Sequence, residues 1–191
     1  MPYEPPPELA ALSLGEIAAA VAARRLPPVE RWAPTSVGDS EMRISGDGRW
    51  FHQGGAITRP AMVRAFSALL TRDSDGRHWL VTPVEKLAIE VEDAAFVATD
   101  LGVDRDADGR EALAFRLNTD DLVIAGPDHP IRAAGNPDTP ALYLAVRRGC
   151  EARLNRSTYG QLVEHAIERV EGDGPLAVTS GGARFALVPP S

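Results

Sequence analysis

Between Arg77 and Asp93 the sequence RHWLVTPVEKLAIEVED alternates apolar and polar positions at the period of a β-strand. Leu87, Ile89 and Val91 fall on one face and Lys86, Ala88, Glu90 and Glu92 on the other, as in a sheet that buries one side. Thr82-Pro83 interrupts the run, so the stretch predicts two strands joined by a turn. A helical period precedes it. Val63, Phe66 and Leu70, flanked by Met62 and Leu69, make an apolar stripe over residues 59–71, with Thr58 as N-cap and Pro60 in the first turn. Further upstream, Ser13-Leu14-Gly15-Glu16 has capping-box spacing. It opens a helix over 14–25 whose face is Leu14, Ile17 and Val21 and which Pro27-Pro28 stops. Pro2, Pro5, Pro6 and Pro7 make residues 1–8 an extended lead-in.

The remaining pattern extends this alternation of helix and strand. Trp32 to Glu41 has no period and predicts an irregular segment, followed by a hairpin in MRISGDGRWFH around Gly46-Asp47-Gly48, whose second strand ends at Gly54-Gly55. Strands are predicted at 96–100, 112–117, 122–125 and 142–146, with an acidic loop at 104–111 and a rigid turn at Gly126-Pro127-Asp128-His129-Pro130. A Gly/Asn/Pro loop then runs to Pro140. Asn155 caps a last helix with Tyr159, Leu162, Val163, Ala166, Ile167 and Val170 on its apolar face and His165 on its polar side. A hairpin around Gly181-Gly182 closes the chain.

The two helix-then-hairpin units overlay. Ile57-Thr58-Arg59 falls on Leu154-Asn155-Arg156 at an offset of 97 (154 − 57), and Val81-Thr82 falls on Val178-Thr179 at the same offset. The predicted fold class is therefore α+β: two tandem related repeats, each an antiparallel sheet with one packed helix, plus an N-terminal helix. The expected boundaries are an N-terminal helix and lead-in over 1–38, a first repeat over 39–95 and a second over 96–191.

Composition narrows the function classes. The chain has 191 residues, 44% hydrophobic and 25% charged, enough to bury a substantial core. A net charge of −7 disfavours the counterion-releasing contacts of nucleic acid and the polybasic patches of membrane surfaces, so neither is an expected partner. Cys150 is the single cysteine, which suits a reducing compartment, and no window approaches a membrane-spanning length. The expected location is the cytoplasm.

Candidate chemistry is sparse. Asp104-Arg105-Asp106-Ala107-Asp108-Gly109 imitates the start of a calcium loop, but Phe115 stands where the bidentate Glu belongs. The four histidines lack metal-ligand spacing, and no GxSxG, GxGxxG or P-loop is present, so no metal or cofactor is expected. Asp128-His129 in its proline-bounded turn reads as a turn hydrogen bond or a proton-transfer pair. Glu90 and Glu92 share a strand face, Glu85 and Lys86 neighbour each other, and Arg59 stands at a helix start, where a cation opposes the macrodipole and calls for a carboxylate or anion. The candidate ligand-binding set is Asp39, Arg43, Arg59, Glu85, Lys86, Asn118, Asp128, His129 and Arg132. No residue is assigned a catalytic role.

Four strings carry a resemblance: GDSEMRISGDGRWFHQGGAITRPAMVRAF, DGRHWLVTPVEKLAIEVEDAAFVA, FRLNTDDLVIAGPDHPIR and YLAVRRGCEARLNRSTYGQLVE. Together they resemble the bacterial domain-of-unknown-function family 1285, from about Asp39 to Ala166. The resemblance implies an α+β fold of two related repeats and brings no reaction, cofactor or catalytic residue. The expected function is non-catalytic binding of a small molecule or protein partner between the repeats, in a ligand-binding or signalling role. Two alternatives are an enzyme using Glu85, Glu92 or Asp128 with His129, and a homodimeric interaction protein.

Overall fold

In a computed structural model the described residues, 8–191, form two six-stranded sheets, three α-helices and a separate two-stranded ribbon. The lead-in expected over residues 1–8 lies outside the described residues except for Glu8. Helix α1 (Leu14–Ala23) begins with the predicted capping box. The Ser13 hydroxyl accepts from the Glu16 amide at 3.2 Å, and the Glu16 carboxylate accepts from the Ser13 amide at 2.7 Å. Of its expected apolar face, Ile17 is buried while Val21 is exposed.

The first domain holds β1 (Ser36–Ile44), β2 (Trp50–His52), β3 (Gly55–Ile57), α2 (Pro60–Ser67), β4 (Leu70–Arg72), β5 (His78–Val81) and β6 (Glu85–Val91). Its sheet order is β3-β2-β1-β6-β5-β4, with antiparallel hairpins on either side of a central parallel pair, β1 with β6. The sequence-predicted strand pair is β5 and β6, with Leu80 opposite Leu87 and Thr82-Pro83 in the turn. Three expectations need correction here. The irregular segment expected to Glu41 is strand from Ser36 onward, because parallel pairing to β6 supplies its hydrogen bonds and no alternation is required. Residues 55–57 form β3 rather than ending a strand. The helix expected to 71 stops at Ser67 with Arg59 rather than Thr58 as N-cap, and Leu70 starts β4.

The second domain holds β7 (Phe96–Arg105), β8 (Glu111–Leu117), β9 (Leu122–Ile124), β10 (Ile131–Ala134), β11 (Ala141–Arg147), β12 (Cys150–Leu154), α3 (Arg156–Ile167) and the ribbon β13 (Ala177–Ser180) with β14 (Ala183–Ala186). Its sheet order is β10-β11-β12-β7-β8-β9. Strand β8 is buried on both faces from Ala112 to Phe115, and Ala114 packs under Leu9 and Ile17. Strands β10 and β12 take residues that the sequence assigns to a loop or leaves undivided. The calcium-like loop is the β7–β8 turn, where the Asp106 carboxylate accepts from the Asp108 and Arg110 amides at 2.9 and 2.8 Å.

Numbered within each domain, both sheets read 3-2-1-6-5-4. That equivalence matches β5 with β11 and β6 with β12. The overlay at offset 97 instead aligns β3 with β12 and β5 with β13, which belongs to the ribbon. Its error has a simple origin. The helix follows the third strand in the first domain and the sixth in the second, so aligning the helices displaces the strands.

Two compact units emerge, one of residues 25–96 with 146–151 and the other of 8–24, 97–145 and 152–191. In the first, Arg148 and Gly149 form a tight turn with φ of 49° and 78°. The Arg148 side chain, 8% exposed, donates to the carbonyls of Ala68 and Pro27, each at 2.7 Å, and pairs with Glu30. Cys150 is buried, and burial pushes its thiol pKa up to about 12, so it is a packing residue.

Candidate functional site

The first unit contains a cleft of about 600 Å³. It forms where β1 departs from regular pairing, in a bulge between Asp39 and Arg43 opposite β6. Inside the bulge Glu41 adopts a left-handed backbone, φ 55°, and the Asp39 carboxylate accepts from its amide at 2.7 Å. The Ser40 hydroxyl donates to the Ala88 carbonyl at 2.7 Å and fixes the bulge against β6. The charged lining is Asp39, Glu41, Arg43, Arg77 and Glu90, with His78 beside them, while Trp79, Ala88 and Ile89 supply the apolar part.

These charges differ in how they are committed. The Arg43 guanidinium pairs with Glu92 and lies 4.4 Å over the Phe51 ring. Asp39, Glu90 and Arg77 have no ion-pair partner among the described residues. His78 sits opposite Arg72 on the neighbouring strand; burial and then the Arg72 charge push its imidazole pKa down, so it enters the cleft neutral at pH 7. Trp79 donates its indole N–H to Asp73 at 3.0 Å, and the Lys86 ammonium sits 4.3 Å over the indole ring.

The second unit has a smaller cleft, about 270 Å³, that sequence reasoning missed. There the His165 Nε2–H donates to Glu111 Oε1 at 2.7 Å, and Arg169 Nε donates to Glu111 Oε2 at 2.9 Å. His165 is 8% exposed, which corrects its placement on the polar side of the helix. The buried stripe of α3 is Thr158, Leu162, His165 and Ala166, and Ile167 and Val170 face solvent. A carboxylate at the first position of β8 gives the imidazole a partner, and residue-type periodicity cannot register that.

Of the candidate set, Asp39 and Arg43 line the first cleft. The others line neither cleft. Arg59 is an exposed N-cap with no side-chain cap bond. The Glu85 backbone closes the Thr82 turn, with Thr82 Oγ1 accepting from its amide at 3.1 Å, and Lys86 covers Trp79. Asn118 is structural, its side-chain oxygen accepting from the Val97 amide at 3.0 Å. Asp128 is exposed. His129 Nδ1–H donates to the Ala145 carbonyl at 3.1 Å, and the Arg132 guanidinium lies 4.4 Å over Tyr143. Glu85, Glu92, Asp128 and His129 of the enzyme alternative line neither of these two clefts.

Comparison with known sequences adds the lineage. The profile described as "Domain of unknown function (DUF1285), N-terminal domain" matches residues 27–94, and "Protein of unknown function (DUF1285), C-terminal domain" matches residues 95–187. The chain belongs to the DUF1285 family. It is similar to the crystal structure of a DUF1285 family protein from Silicibacter pomeroyi DSS-3, at 41% identity and TM-score 0.77, covering 94% of this chain and 96% of that one. It is also similar to a DUF1285 family protein from Shewanella baltica OS155, at 25% identity and TM-score 0.51, covering 64% of this chain and 90% of that one. No curated protein matches the chain. In this DUF1285 chain no described helix is long and apolar enough to cross a membrane.

Proposed function

We propose that this DUF1285 protein is a binding protein whose first domain takes a small zwitterion in the β1 bulge cleft. The observation that carries the reading is the unspent charge of opposite sign in one concavity, Asp39 and Glu90 against Arg77. A ligand cation meets the two carboxylates and a ligand carboxylate meets the guanidinium, where bidentate geometry adds orientation. Trp79 and Ile89 supply the apolar wall that such pockets need. A signalling role would use occupancy of this cleft as its input.

Isothermal titration with free amino acids and with their N-acetylated and C-amidated forms tests the reading. Binding by the zwitterions, lost in both blocked forms and weakened about tenfold by Asp39→Asn, is the expected result, on the scale of one charge-assisted contact. Equal binding of blocked and free forms, or none at all, would remove the proposal.

A further inference from the structure

We propose that the second domain carries a separate site for a small organic carboxylate, in the cleft between the end of α3 and the β13–β14 ribbon. This inference does not rest on the first-domain reading. The lining is built from Glu111, His165 and Arg169 at one side and from Thr179 and Arg184 at the other. Thr179 and Arg184 are direct partners across the ribbon, so their side chains leave it on one face, and that face borders the cleft.

The hydrogen-bond inventory decides the sign of the ligand. Both oxygens of Glu111 are occupied, one by His165 and one by Arg169, so this inward carboxylate has no oxygen left for a ligand cation. Arg169 is thereby held in place, with Nη1 also donating to the His165 carbonyl at 3.4 Å. Arg184, by contrast, is exposed and has no carboxylate partner among the described residues. With Arg169 already held by Glu111 and, at 3.5 Å, by Glu168, the donors the cleft offers are the Arg184 fork and the Thr179 hydroxyl.

The remaining lining sets the size and charge. Ala166, Val170, Pro175, Ala177 and Val178 form an apolar wall suited to a short hydrocarbon body. A volume of about 270 Å³ is ample for a carboxylate carrying a short hydrocarbon body. Glu171, a lining acid with no ion-pair partner among the described residues, opposes multiply charged anions. A singly charged acid with a short chain fits these terms; inorganic phosphate does not.

The test uses the full chain, labelled for amide NMR and titrated with sodium butyrate, with butylamine and inorganic phosphate as the contrasting probes. Butyrate should saturate, shifting amides in residues 165–171 and 177–184, while butylamine and phosphate leave them in place. Arg184→Gln, at an exposed ribbon position, should weaken butyrate about tenfold, the scale of one charge-assisted hydrogen-bonded contact. Thr179→Val should weaken it by a smaller factor, and Asp39→Asn in the first cleft should leave it unchanged. Wild-type affinity in Arg184→Gln, phosphate shifting the same amides as strongly, or butyrate acting through Asp39 would each overturn the proposal.

Discussion

Gln53 and Glu41, the latter lining the first-domain cleft, bond to each other while both adopt left-handed backbone conformations, at φ 49° and 55°. The Gln53 amide donates to the Glu41 carbonyl at 3.0 Å, and its carboxamide donates to the Glu41 carboxylate at 2.6 Å. Two non-glycine residues at positive φ cost on the order of 1–3 kcal/mol each, and the surrounding bonds must hold them there. Glu41→Gly is therefore expected to change stability by no more than about 0.5 kcal/mol, because relief of the backbone offsets loss of an exposed hydrogen bond. Glu41→Pro, which fixes φ near −65° and removes the amide bonded to Asp39, should cost about 3 kcal/mol or more. Urea denaturation measures both. A Glu41→Gly loss approaching that of proline would show that the side chain, not the backbone, holds the bulge.

Gly149 has no room for a side chain. Its φ is 78°, and a Cβ there would stand 2.7 Å from the Arg72 carbonyl oxygen, a backbone atom that cannot step aside. That carbonyl belongs to the residue whose amide donates to the Arg148 carbonyl at 2.9 Å, so relief would break a neighbouring bond. Gly149→Ala should lower stability by about 2–4 kcal/mol, whereas Gly109→Ala, with the same sign of φ and open space around it, should cost only about 1 kcal/mol. Thermal melts of the two variants separate clash from conformational strain.

Ser180 is wholly buried and satisfied twice. Its hydroxyl accepts from the Leu113 amide at 2.9 Å and donates to the Ala125 carbonyl at 2.7 Å, fastening the ribbon to β8. Ser180→Ala strands a buried donor and a buried acceptor together, at an expected cost of about 2–4 kcal/mol. Hydrogen exchange at Leu113 should accelerate in the variant. Unchanged protection there would mean that the ribbon is held by its apolar residues alone.

His78 gives stability a defined pH dependence. Its pKa is lowered from 6.5, by burial first and then by Arg72, with Asp73 and Glu151 opposing. A group with a depressed imidazole pKa binds fewer protons folded than unfolded, so stability is lost as pH falls through the unfolded value of about 6.5. Between pH 7.5 and 5.5 the melting temperature of His78→Asn should fall less than that of the natural protein. Parallel pH profiles would take His78 out of the acid response.

The legible parts of this fold share a cause. Arg77 to Asp93 was readable because its strands are local and alternate cleanly, and α1 because Ser13 and Glu16 satisfy each other within one turn. Strand β1 was not, because Ser36 to Glu41 owes its conformation to a partner nearly fifty residues away, with Ser36 opposite Glu85. The site divides in the same way. Asp39 and Arg43 stand close to the hairpin at Gly46-Asp47-Gly48, but the bulge that brings them to a cleft is a register event without a residue-type signal. His165 stayed hidden because its partner Glu111 comes from another element and a polar residue on a buried face breaks the pattern being read.

The shared strand order also governs how the protein can be made. In each six-stranded sheet the strands that come first and last along the chain are neighbours at the centre, β1 beside β6 and β7 beside β12. A chain emerging from the ribosome can close its outer hairpins early, but neither sheet can be joined until its final strand has been translated. Each half-sheet then waits with an open edge during synthesis, the state most exposed to pairing with a foreign strand. Truncation anywhere before Leu154 would leave the second sheet permanently in that condition.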